Sequence, residues 1–171
     1  MAANKPNNCP FCGAPEKFIV LAKDFKEDEV GELSDATKSN LEYALLMENN
    51  SMLFYACSHE ISMNAELAFM FKALERMEAK HASVIRKILG VPEPEEVEDN
   101  RGRCHALDQL NLTDSVEREN RAIELYKKIV DEAVEPRVKQ VFTAFLETET
   151  AHTELIKEAG SRFGVQFNPV I

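Results

Sequence analysis

Six ligand-type side chains recur in this chain at fixed intervals. Glu48 is followed by Tyr55, then by Glu78 and His81. Glu119 is followed by Tyr126, then by Glu149 and His152, with every interval identical, so the two copies align without a gap. Carboxylate and imidazole together are ligands for iron, manganese or zinc. A duplicated set of such ligands predicts a symmetric site for two metal ions.

These residues need elements that bring them together. Ser34 and Asp35 are N-cap candidates for a first helix over about 36–61, with an apolar line of Leu41, Ala44, Leu45, Met52 and Tyr55. A second helix over 64–89 carries Leu67, Phe71, Leu74, Ile85 and Ile88 and ends at Gly90. The stretch 91–112, with Pro92, Pro94, Gly102 and acidic runs, breaks the helical period and predicts a crossover. Thr113 or Asp114 then caps a third helix over 115–134, aligned on Val116, Ile123, Tyr126 and Val130. Pro136 opens a fourth, with Val138, Val141, Phe142, Phe145 and Ile156 on one side and Gly160 closing it. Strand signals are weak except at Phe18 to Leu21.

Four amphipathic segments with one long connection predict an all-α, ferritin-like four-helix bundle with a long crossover. A short Cys-containing arm over 1–34 precedes the bundle at 35–160, and a tail over 161–171 follows it.

Residues three, four and seven apart share a helix face. Glu48 therefore falls on the line of Leu45 and Met52, and Glu78 and His81 fall between Leu74 and Ile85. Glu119 lies between Val116 and Ile123, and Glu149 and His152 between Phe145 and Ile156. All six interrupt apolar stripes. An uncompensated buried charge costs several kcal/mol, so four buried glutamates require protons, hydrogen bonds or cations. Two divalent ions would balance all four. A single Glu-x-x-His is ordinarily a solvated pair. Two copies, each with a glutamate at the same place on the preceding helix, match the known ligand pattern of dimetal carboxylate bundles.

Other residues read differently. Glu75, Glu117, Glu124 and Glu147 lie off the core lines and are expected in solvent. Tyr55 and Tyr126 either hydrogen-bond the ligating carboxylates or pack as core aromatics. His59 is too far along the helix axis from Glu48 to join the site. Cys57 is expected as a buried apolar residue.

With 20 basic and 30 acidic side chains the formal charge is −10, which argues against a nucleic-acid-binding surface. No apolar run reaches the roughly 18 residues of a membrane span, and Met1 to Pro15 has no signal-peptide core. A cytoplasmic location is the default expectation. Four unevenly spaced cysteines do not suggest a disulfide framework.

The segments Glu48-Asn49…Tyr55, Glu78-Ala79-Lys80-His81, Glu119-Asn120…Tyr126 and Glu149-Thr150-Ala151-His152 resemble the rubrerythrin branch of the ferritin-like superfamily, over residues 36–159. The resemblance implies two iron ions, bridged by Glu78 and Glu149, with Glu48 and Glu119 terminal and one histidine on each iron. Cys9-Pro-Phe-Cys12-Gly13 resembles one knuckle of the rubredoxin-type iron site that such proteins carry. Two departures stand out. Only one Cys-x-x-Cys is present, and Ala122 occupies the position of the additional third-helix glutamate of the family, which brings the set nearer to bacterioferritins.

The half-knuckle has several readings. Two chains of a homodimer could share an iron or zinc ion through Cys9 and Cys12. Cys104 and His105 could add ligands, or the motif is a remnant or a reactive dithiol. The expected activity is that of a di-iron oxidoreductase reducing hydrogen peroxide or dioxygen with an external electron donor. The alternatives are a ferroxidase or iron-storage protein, and a non-catalytic metal-binding bundle.

Overall fold

A computed structural model describes residues 5–10, 13–26, 29–94 and 104–167. Among them, four long helices make up the bundle: α1 Asp35–Ile61, α2 Ala65–Leu89, α3 Asp108–Glu132 and α4 Pro136–Arg162. At 1.5 Å per residue each is roughly 40 Å long. α1 packs along α2 and α3 along α4, while α1 meets α3 and the α2–α4 seam is the most open. This is the expected all-α, four-helix bundle. No helix among the described residues is long and apolar enough to cross a membrane.

The helix starts show why these segments begin where they do. The Ser34 hydroxyl accepts the Thr37 N–H, and Asn64 Oδ1 accepts the N–H groups of Glu66 and Leu67. Gly90, at φ 68°, ends α2 in the left-handed conformation that favours glycine. Glu135 joins two helix starts. Its carboxylate accepts the Ser34 N–H at 2.7 Å, the Thr37 hydroxyl at 2.8 Å and the Val134 N–H at 3.1 Å.

Burial pushes the Glu135 carboxyl up, but these donors outweigh it and hold it below its ordinary value. The stabilisation is therefore fully present above the ordinary carboxylate range and is lost as pH falls through the lowered folded value. Glu135→Ala is expected to cost about 2 kcal/mol at neutral pH. Urea titrations should show the difference from wild type shrinking below about pH 4.

Three elements differ from the sequence expectation. α3 starts at Asp108, so Thr113 and Asp114 lie inside it. The fixed point is Asn111, whose side chain accepts the His105 N–H and donates to the His105 carbonyl. The crossover is correspondingly shorter, and its residues 95–103 lie outside the described residues.

Phe18 to Leu21 form no strand. Glu16–Phe18 make a 3-10 turn, and the only β pairing among the described residues is an isolated bridge between Asn8 and Pro15.

α4 does not stop at Gly160. It runs to Arg162, and Gly164 at φ 74° provides the left-handed residue, with the Val165 N–H donating back to the Gly160 carbonyl at 2.9 Å. Gly160 is small for another reason: the Phe167 ring lies directly on it, where a Cβ would clash. The tail thus folds back onto the bundle. Gly160→Ala should displace Phe167. The atoms that must give way are the tip of the Phe167 ring, so the tail moves while the helix keeps up to ~1 kcal/mol of propensity. Faster chymotryptic cleavage at Phe163 and Phe167 is the expected readout, and unchanged cleavage would refute the packing role.

A fourth difference concerns Cys57. It is buried, as expected, but it forms a disulfide with Cys104, with a Cα–Cα distance of 5.9 Å. The bond ties α1 to the end of the crossover, and Cys104 is thereby unavailable as a thiolate ligand.

The core divides into two apolar clusters. One contains Leu41, Ala44, Ile85, Tyr126, Phe142 and Phe145. The other contains Phe54, Tyr55, Leu67, Phe71, Leu74, Leu112 and Ile156. On every helix the interval between them holds the recurring carboxylates and histidines.

Candidate metal centre

Each helix delivers its ligand-type residues into that interval: Glu48 from α1, Glu78 and His81 from α2, Glu119 from α3, and Glu149 and His152 from α4. None is more than 4% exposed. The i, i+3 spacing on α2 and α4 turns both members of each pair to the axis, as the sequence requires.

Both histidines point Nδ1 inward. His81 Nδ1 lies 2.8 Å from Glu149 Oε1, 3.2 Å from Glu78 Oε2 and 3.5 Å from Glu48 Oε1. His152 Nδ1 lies 2.8 Å from Glu149 Oε2, 3.5 Å from Glu78 Oε1 and 3.8 Å from Glu119 Oε2. The two imidazole rings are near parallel with centroids 6.2 Å apart.

Two overlapping donor sets result. One is Glu48, Glu78, His81 and Glu149; the other is Glu78, Glu119, Glu149 and His152; in each, the donor atoms lie within 4.8 Å of one another. Glu78 and Glu149 belong to both. Among the described residues Glu78 Oε1 is buried with no hydrogen bond, its ion-pair neighbour His152 Nδ1 standing 3.5 Å away, an arrangement that is costly unless a cation or proton compensates it. Buried oxygen and imidazole donors together are compatible with divalent ions such as iron, manganese or zinc.

The electrostatics describe the protein without metal. Burial and the neighbouring Glu78 push the carboxyls of Glu48 and Glu119 well up. Burial also pushes Glu149 and Glu78 up, but the two histidines outweigh it and hold both below the ordinary carboxylate value. Burial pulls both imidazoles down, yet Glu149 above all holds His81 and His152 well above their ordinary value. Without metal, protons are thus held preferentially on Glu48, Glu119 and the two imidazoles, and released preferentially from Glu78 and Glu149.

The tyrosines hydrogen-bond carboxylates, and they do so crosswise. The Tyr55 hydroxyl donates to Glu119 and the Tyr126 hydroxyl donates to Glu48. Each tyrosine lies two turns from the glutamate on its own helix, about 10 Å along the axis, and reaches the one across the bundle instead. Burial, then Glu119, pushes the Tyr55 phenol well up, which keeps it a donor.

Two contacts had no signal in the sequence. His152 Nε2 lies 2.9 Å from Met77 Sδ. Gly13 of the arm packs over the same place: a Cβ there would lie 2.9 Å from Thr148 Cγ2 and 3.6 Å from His152 Nε2. The arm therefore covers the α2–α4 seam at His152. Its glycine stands at φ 74°, and its N–H donates to the Cys9 carbonyl at 2.9 Å. A glycine after a Cys-x-x-Cys is legible as a turn, but its partner on α4 is not.

The remaining candidates separate cleanly. Cys9 is partly buried, while Cys12 lies outside the described residues, and with it the expected Cys9/Cys12 metal site. His59 Nδ1 is 3.0 Å from the Ala68 carbonyl, a structural contact outside the cluster. Glu117 and Glu124 are exposed; Glu75 and Glu147 are partly buried, with Glu147 paired to Lys17 at 2.6 Å. Ala122 packs against the apolar cluster around Tyr126.

Comparison with curated proteins and with solved structures returns no match. The family model for rubrerythrin matches residues 39–160, a span that contains all six buried ligand-type residues and both tyrosines. The chain belongs to the rubrerythrin family.

Proposed function

We propose that the chain is a di-iron oxidoreductase that reduces hydrogen peroxide or dioxygen. The observation that carries this reading is the pair of overlapping donor sets sharing Glu78 and Glu149. Glu78 and Glu149 would be common to both irons. Glu48 with His81 Nδ1 would complete one position, and Glu119 with His152 Nδ1 the other. When bound, two ferrous ions supply two electrons and Lewis acidity, the requirement for breaking an O–O bond.

The protein residues set the conditions for that chemistry. The crossed tyrosine hydroxyls hold the terminal carboxylates in orientation. The flanking aromatic clusters limit water around the site, with the Phe145 ring centroid 4.2 Å from that of His81. In this reading an external donor restores the electrons and the protein works as a cytoplasmic homodimer, with Cys9 and Cys12 of two chains available to share an additional iron or zinc ion.

A ferroxidase is the second reading. It is favoured by Ala122, which leaves six ligand-type residues and no extra third-helix carboxylate. Metal analysis, aerobic absorption spectra and peroxide consumption by the iron-loaded protein test the proposal. Iron with a ferric carboxylate spectrum and sustained peroxide turnover is expected. A colourless zinc protein without turnover after iron loading would overturn it, and iron oxidation inside a closed cage would favour the ferroxidase.

A further inference from the structure

The two ring nitrogens of His152 meet different surroundings. Nδ1 faces the donor sets, 2.8 Å from Glu149 Oε2. A metal bound at Nδ1 leaves the ring proton on Nε2, and that N–H needs an acceptor. A ligating histidine ordinarily gives it to a carboxylate, a backbone carbonyl or water, which orients the ring and strengthens it as a ligand. Here the acceptor is the Met77 thioether, with Sδ 2.9 Å from Nε2. A thioether sulfur is a weak acceptor. Gly13 roofs the pair, for a Cβ on it would lie 3.3 Å from Sδ and 3.6 Å from Nε2. The internal repeat does not duplicate the sulfur: the residue aligned with Met77 is Thr148, whose hydroxyl donates to the Ala144 carbonyl.

We propose that Met77 is a positioning residue for the metal position completed by Glu119 and His152, and that its weak acceptor keeps that position labile. This rests on the two-metal reading of the site above and not on the peroxide chemistry. The thioether fixes the tautomer and the ring orientation, so removing it loosens metal binding. It polarises the imidazole less than an oxygen would, so an amide oxygen in its place tightens binding. Glutamine has the same chain length as methionine and can turn its Oε1 towards Nε2, whereas leucine fills similar space and accepts nothing. A residue that only filled space would give the opposite ranking, with leucine harmless and a half-buried glutamine no better than methionine.

The test titrates the full chain with cobalt(II), a spectroscopic stand-in for ferrous iron, and counts bound ions by mass spectrometry. Glu48→Ala isolates the position of Glu119 and His152, and Glu119→Ala isolates the other. In the Glu48→Ala protein, Met77→Gln should raise cobalt affinity about 10-fold and Met77→Leu should lower it about 10-fold. Release into excess chelator should slow and quicken in the same order. In the Glu119→Ala protein both substitutions should leave the affinity unchanged. Equal affinities with methionine, leucine and glutamine at the His152 position overturn the inference. Equal changes at both positions also overturn it, because the effect would then run through the neighbouring shared Glu78. Wild-type protein that binds neither cobalt nor ferrous iron defeats the two-metal reading itself. A second measurement needs no substitution: nitrogen-15 NMR of the zinc-loaded wild-type protein. A protected His152 Nε2–H close to the Met77 methyl is expected, and an Nε2–H that exchanges freely with water and shows no such proximity overturns the inference.

Discussion

Glu149→Ala is expected to remove both metal ions, not one. Glu149 belongs to both donor sets and places one oxygen 2.8 Å from each histidine. Losing an orienting neighbour of a metal ligand already costs about 10–100-fold in affinity. Losing a shared ligand should exceed the upper figure at both positions. Glu48→Ala, by contrast, should weaken mainly the position completed by His81, and Glu119→Ala the other. Mass-spectrometric metal counting with calorimetric titration separates these outcomes. A Glu149→Ala protein that keeps one ion at wild-type affinity would falsify the shared assignment. The metal-free variant should also lose stability, because two buried imidazoles lose their nearest carboxylate.

Metal uptake should expel protons in large number. In the metal-free cluster Glu48, Glu119, His81 and His152 all hold protons above their ordinary values. Ligation requires these groups deprotonated. Two ions would thus displace up to four protons, and affinity should rise with pH by up to about 100-fold per ion per unit.

The same signs fix the stability of metal-free protein. The raised groups stabilise fully below their unfolded values and lose that contribution as pH climbs through the folded values. Glu78 and Glu149, held low, stabilise above the ordinary carboxylate value and lose their contribution as pH falls through the folded ones. Bound metal should remove the high-pH loss. Calorimetry in buffers of different ionisation enthalpy counts the protons. Affinity independent of pH would show that the proposed charge state is wrong.

Much of this site can be read from one sequence because the constraint is periodic. Six charged residues on apolar stripes, repeated in register in the two halves of the chain, specify helices, burial and a common level in the bundle. What escapes the sequence is set by partners distant along the chain. Thr113 and Asp114 resemble helix caps, yet α3 is anchored earlier through Asn111 and His105. Gly160 resembles a terminator because a glycine kept for space and one kept for positive φ look alike; only Phe167 distinguishes them. The disulfide joins positions 47 apart, and no spacing rule predicts it. Tyr55 follows Glu48 on the same helix, so sequence proximity suggests the wrong carboxylate.

The crossed tyrosines have a consequence for ancestry and design. Each hairpin carries a glutamate that needs a phenol and a phenol that needs a glutamate, and it satisfies neither by itself. Exchanging the two halves leaves the scheme unchanged. Two copies of the first hairpin alone would contain every ligand type and both crossing donors in matching positions. The bundle thus has the logic of a self-complementary pair joined into one polypeptide. The halves are not identical, for the second copy carries Lys128 where the first carries Cys57.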